Sequence, residues 1–257
     1  RITRMPGGVA MNIAMTLRRF GLHPALLSVV GQDPEGIELI KAAGVLKLNT
    51  QFLYRSRDLP TDQYMAIEGS NGLIAAIADA HSLEAAADKI LLPLEDGRLG
   101  TPEEPFSGLI ALDGNLTVTL LSQIATSPLF SKSDLRIAPA SSGKAERLLP
   151  LLSHKGATLY VNLEEAGILC NQDFLDAKTA SQSLVARGAN RALVTHGPKA
   201  AALADAENCV LATPPAVRAS RVTGAGDTFM AAHIAAELRG LSGVAALQSA
   251  SIVAATY

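Results

Sequence analysis

The chain has 257 residues, 48% of them hydrophobic, enough to bury a sizeable core in one large domain or two small ones. Its 22 basic and 24 acidic side chains leave a formal net charge of −2, so it offers no broad electrostatic footprint for nucleic acid or an anionic membrane. Two cysteines, Cys170 and Cys209, lie outside any zinc-ligand spacing and read as reduced thiols of a cytoplasmic protein.

In chain order, Val9, Ile13, Leu17 and Phe20 repeat at helical spacing over 7–20, with Gly21 placed to end the helix. Residues 25–30 read as a strand, and Pro34 opens a helix ending near Gly44. Residues 63–67 and 73–78 form a predicted hairpin through Ser70-Asn71-Gly72, since Asn and Gly tolerate positive φ; it is too weakly apolar for a core pair and is placed in a flap. Residues 91–105 are the most loop-like stretch. From residue 109 onward short apolar strands (109–112, 135–138, 158–161, 192–195, 200–203) alternate with helices (118–125, 144–152, 164–169), and two Ala-rich helices (227–238, 244–255) close the chain. That alternation predicts an α/β fold with a mainly parallel central sheet covered on both faces. Ligands of such sheets collect beyond the carboxyl ends of the strands.

The sharpest chemical signal is Thr223-Gly224-Ala225-Gly226-Asp227 at the start of a helix. Small residues admit a ligand close to the backbone, and the first amides of a helix point outward as an anion site. Asp227 beside such a site would be repelled by a phosphate unless it has a task, such as taking the proton from an attacking hydroxyl. A dinucleotide fingerprint fails because Phe229 occupies the third glycine position, and Gly143-Lys144-Ala145 lacks the hydroxyl of a Walker A loop. The second signal is Gly7-Gly8-Val9-Ala10-Met11-Asn12, in which Asn12 can donate to and accept from a neutral polyol.

These two glycine-led helices, in this order and about 220 residues apart, resemble the paired signatures of the PfkB (ribokinase-like) family of carbohydrate and nucleoside kinases. Asn162-Leu163-Glu164-Glu165 is similar to the family's Asn-x-x-Glu motif, Val194-Thr195-His196-Gly197 to its nucleotide-lining turn, and Lys144 to a lysine beside the ATP site. The resemblance implies a three-layer sandwich with a small β lid at about residues 50–80, and an ATP-dependent kinase acting on a hydroxymethyl oxygen. It assigns Asp227 as base and Gly224, Ala225 and Gly226 as anion hole. It gives Gly7, Gly8, Asn12 and Asn115 to the substrate, and Lys144, Thr195, Gly197 and Thr223 to the nucleotide. Asn162 and Glu165 would serve Mg2+, mainly through water, and K+ is a candidate second cation.

Three stretches (6–14, 61–67 leading to 77–79, and 112–116) are similar to pseudouridine kinases, so pseudouridine is the first substrate expectation. Ribose, adenosine or another sugar, and a ligand-binding homologue without turnover, are the alternatives. Asp113, at a strand end, is either a second substrate contact or a turn cap. Only six residues precede Gly7, whereas family members carry an Asp-bearing strand and further lid strands there. The expectation is one domain over 1–257 from which that strand and part of the lid are missing, either because the sequence is a fragment of a longer chain or because the protein lacks them, with a homodimer through the lid as a geometric option.

Overall fold

A computed structural model of the chain describes residues 4–69, 72–216 and 224–256. The first helix, α1 (Val9–Arg19), starts at Gly8, whose φ of 96° suits glycine alone, and ends before Gly21 as its apolar spacing requires. A short strand, β1 (Val29–Gly31), leads to α2 (Pro34–Val45), whose cap is the Asp33 carboxylate accepting from the Gly36 amide. β1 pairs in parallel with β2 (Tyr54–Ser56), and the remainder of the expected strand over 25–30 is reduced to an isolated bridge at Ala25. β3 (Gln63–Gly69) and β4 (Gly72–Asp79) form the predicted antiparallel hairpin as a separate two-stranded sheet, with its tip residues Ser70 and Asn71 outside the described residues.

Residues 95–105 are irregular, as expected of this stretch, while 91–94 close a 3-10 segment, Ala87–Leu94, that follows α3 (Ser82–Ala86) and buries Ile90 and Leu94. The main sheet follows: β5 (Leu109–Asp113), β6 (Asp134–Ala138), β7 (Ala157–Asn162), β8 (Arg191–Thr195), β9 (Ala201–Ala204) and β10 (Cys209–Ala212). Its order is β10-β9-β8-β7-β6-β5, with β5 to β8 parallel and β9 antiparallel to both neighbours.

One face carries α4 (Val118–Thr126), α5 (Leu163–Cys170) and α6 (Ala177–Ala186), with the 3-10 segments Pro128–Phe130 and Ser142–Leu151. The other carries α1, α7 (Ala225–Leu238) and α8 (Gly243–Ala255). Strand alternation feeds both cores: Leu159, Val161, Ala192 and Val194 face the first, and Tyr160 and Leu193 the second. Burying apolar side chains on both faces is what the near-continuous apolar strands demand.

Two expectations need correction. The helix expected over 144–152 is a 3-10 segment that contains Pro150, whose ring and missing N–H disfavour regular α-helical bonding. The unassigned stretch before β8 is α6, which buries Ala177, Ala180, Ser181 and Leu184 on one face; Lys, Thr, Gln and Ser between them dilute the apolar signal.

Candidate active site

The carboxyl ends of the parallel strands converge on the predicted residues. Asp113 ends β5, Asn162 ends β7, and Thr195 ends β8 beside Asn162 in register. Gly114 lets the chain leave β5, since a Cβ there would stand 2.3 Å from the Pro139 carbonyl oxygen, while its own N–H donates to the Ala138 carbonyl. Asn115 follows at the mouth of the sheet.

From the opposite layer, α1 and α7 bring their N-termini to the same place. Gly224 caps α7 in a left-handed conformation (φ 87°) and, having no side chain, leaves the first amides of the helix without a side-chain cap among the described residues. Ala225 and Gly226 form the first turn, and a Cβ on Gly226 would meet nothing within 4 Å. Gly8 caps α1 with no side-chain acceptor either, and Gly7 beside it faces open space. The two helices are joined at the site by Asn12, whose Nδ2 donates to Asp227 Oδ2 at 2.8 Å. Among the described residues Asp227 Oδ1 receives no hydrogen bond.

Burial pushes the Asp227 carboxyl up to about 6; the Asn12 hydrogen bond opposes the shift and the nearby Asp113 carboxylate adds to it. Burial also raises Asp113, against the opposing amides of Asn115 and Ala10 and the charge of Lys144. The Asn115 N–H donates to Asp113 Oδ1 at 2.7 Å, so Asp113 caps the turn as one of its two expected roles required. The Ala10 N–H, in the first turn of α1, is one of the donors that stabilise the Asp113 carboxylate, so a carboxylate from the sheet lies at the start of that helix.

Asn162 and Glu165 make a capping box at the start of α5: Asn162 Oδ1 accepts from the Glu165 N–H at 2.9 Å, and Glu165 Oε2 accepts from the Asn162 N–H at 2.8 Å. Glu165 is buried, and desolvation lifts its carboxyl, with Glu164 and Asp227 adding like-charge repulsion. Its second oxygen is not committed to the cap. A buried carboxylate with one spare oxygen, facing other carboxylates near an anion site, is a donor set that suits a hydrated divalent cation. No cluster of three or more His, Cys, Asp or Glu side chains able to hold a metal directly occurs among the described residues.

Lys144 and Asn115, expected to serve different ligands, are bonded to one another: Lys144 Nζ donates to Asn115 Oδ1 at 2.7 Å. Gly197 turns the chain after β8 with φ 53° and open space at its Cβ position. Thr223 lies outside the described residues. Phe229, which argued against a dinucleotide fold, is buried in the second core.

One contributor escaped the sequence reading. Arg147 Nη1 donates to Glu84 at 2.7 Å and reaches the carbonyls of Gly114, Asn115 and Leu116 at 3.4–3.5 Å, clamping the turn that presents Asn115. A lone Arg in a polar helical stretch gives no sign of this.

Residues 1–257 match the pfkB family carbohydrate kinase pattern. The chain is 29% identical over 242 residues to the uncharacterized sugar kinase YeiI of Escherichia coli, covering 92% of this chain and 64% of that protein, so it spans less than two thirds of that relative's length. It is 27% identical over 235 residues to ribokinase of Mus musculus, covering 88% of this chain and 69% of that one. A carbohydrate kinase structure from Agrobacterium tumefaciens superposes with a TM-score of 0.80 at 23% identity, over 97% of this chain and 78% of that one. The fold is ribokinase-like, and the chain belongs to the pfkB family of carbohydrate kinases.

Proposed function

We propose that the protein transfers the γ-phosphoryl group of ATP to a hydroxymethyl oxygen of a sugar or nucleoside, with pseudouridine as the first substrate to test. The observation that carries this reading is the Asn12–Asp227 hydrogen bond, which sets a partly desolvated carboxylate at the uncapped N-terminus of α7. Asp227 Oδ1 takes the acceptor's proton as the oxygen attacks phosphorus, and Asn12 holds the other oxygen so that Oδ1 is aimed. A base titrating near 6 is ionised at neutral pH yet basic enough to accept a proton. The amides of Gly224, Ala225 and Gly226 offset the charge on the migrating phosphoryl group.

Gly7 and Gly8 let the acceptor lie against the backbone of α1. Asn115, fixed by Lys144 and by the Arg147 clamp, offers its amide to the acceptor's hydroxyls. Thr195 and Gly197 serve the nucleotide, Thr223 (outside the described residues) is kept for it on its place in the sequence motif, and Lys144 serves the phosphates from beside Asn115. Mg2+ would sit on Glu165 and Asn162, largely through water, where it would neutralise phosphate charge. The β3–β4 hairpin exposes Tyr64, Met65, Ile67, Ile74 and Ile77, an apolar surface suited both to closing over the acceptor and to a second copy of the chain. No helix among the described residues is long and apolar enough to cross a membrane, and dependence on ATP favours the cytoplasm.

The test is ADP release from ATP and Mg2+ with pseudouridine, ribose, adenosine and fructose in parallel. Stimulation by one acceptor of this set supports the reading and names the substrate. Stimulation by none, with nucleotide still bound, replaces it by a binding protein without turnover.

A further inference from the structure

At the opposite, amino-terminal end of the main sheet lies a second concave site. A shallow, open depression of about 480 Å3 is lined by Ser131, Lys132, Asp134, Arg136, Lys155 and Arg191, with Ser133, Gly156, Thr158 and Asn190 completing its wall. Four cations therefore face one lining carboxylate in a chain whose net charge is −2.

The two guanidinium groups are held in place from behind. Arg136 is 5% exposed, and its Nε and Nη2 donate to the two oxygens of Asp134, both at 2.7 Å. Its Nη1 donates to the Tyr160 hydroxyl at 2.9 Å and also bonds Glu237. Arg191 donates from Nη2 to Glu237 Oε1 at 2.5 Å and from Nη1 to Thr158 Oγ1 at 3.4 Å, so three of its five N–H groups have no partner among the described residues. Counting Glu237 behind the wall, four cations are balanced by two carboxylates, and the excess belongs to Lys132 and Lys155, both exposed at the rim.

We propose that this cavity binds a small phosphate-bearing anion, with Arg191 supplying a pre-oriented fork and Lys132 and Lys155 closing over it. Such a planar fork matches phosphate oxygens, and its rigid backing lowers the entropy lost on binding. The size of the cavity and its isolation in a slightly acidic chain favour a small anion over a nucleic acid, which needs an extended basic track. Glu237, which holds Arg191 from behind, lies in the last turn of α7, whose first turn carries Asp227.

Backbone amide NMR of the whole chain, titrated with inorganic pyrophosphate at a fixed 0.15 M NaCl background, tests the site independently of turnover. The expected result is saturable shifts at Gly156, Asn190 and Glu237, separate from any at Gly226. In the double variant Lys132→Ala/Lys155→Ala, whose exposed side chains are not needed for folding, half-saturation at these amides should need roughly tenfold more pyrophosphate, the scale of losing charge-assisted hydrogen bonds. Shifts confined to residues 224–227, shifts reproduced by an equal ionic strength of NaCl, or half-saturation unchanged in the double variant would each overturn the proposal.

Discussion

Replacing Asp227 by Asn should make the protein more stable at neutral pH. The Asp227 carboxyl is moved from 3.8 to about 6, chiefly by desolvation. At 1.36 kcal/mol per unit, ionising it inside the fold costs about 3 kcal/mol relative to the unfolded chain. Because the folded value is raised, the cost is absent below the unfolded value, grows from about pH 4 to 6, and is complete above that. Asn removes the charge and keeps an oxygen to accept from Asn12 Nδ2. For a chain of this length the gain corresponds to a rise in Tm of roughly 5–10 °C as an upper bound. Thermal melts of both proteins from pH 5 to pH 8 measure it, and about half the difference should survive at pH 5. Equal Tm values at pH 7.5, or a difference independent of pH, would refute the view that Asp227 is a desolvated carboxylate held at a stability cost, as functional groups often are.

Other expectations follow from the same geometry. Gly226→Ala should leave the melting temperature unchanged or raise it slightly, since Ala favours a helix by up to about 1 kcal/mol over Gly and its Cβ meets nothing, yet turnover should fall because the methyl group intrudes on the phosphoryl cradle; normal kinetics would move the cradle elsewhere. The rate of the proposed transfer in the unmodified protein should fall below about pH 6 as Asp227 is protonated, and a pH–rate profile flat to pH 4.5 would count against a base at this position. Arg136→Met should lose about 1–3 kcal/mol in denaturant melts, because the buried Tyr160 hydroxyl and Glu237 each lose a donor, while Glu237 keeps Arg191 and the half-exposed Asp134 turns to water.

Periodicity and local chemistry were enough to read the strand–helix alternation and the two glycine-led helices in this sequence. The sheet's double apolar faces explain why: Leu159, Tyr160 and Val161 form a continuous run only because both sides are covered. Asn12 and Asp227 were each legible from their own loops, but not their mutual bond, which spans 215 positions and depends on how α1 packs on α7. The Lys144–Asn115 contact and the Arg147 clamp are hidden for the same reason, as tertiary partners of unremarkable side chains. The α-helix expected over 144–152 failed where Pro150 outweighed apolar spacing. The lysines and arginines at the far end of the sheet are scattered from 132 to 191 in the sequence, so only the fold gathers them.

The most direct trial of the proposed chemistry is steady-state turnover of Asp227→Asn on whichever acceptor stimulates ADP release, with ATP and acceptor both saturating. A loss of roughly 10²–10⁴-fold in kcat with KM values little changed is the predicted result, the worth of a positioned base. Turnover within a few fold of wild type would contradict it and leave the N-terminus of α7 as an anion site without a catalytic carboxylate.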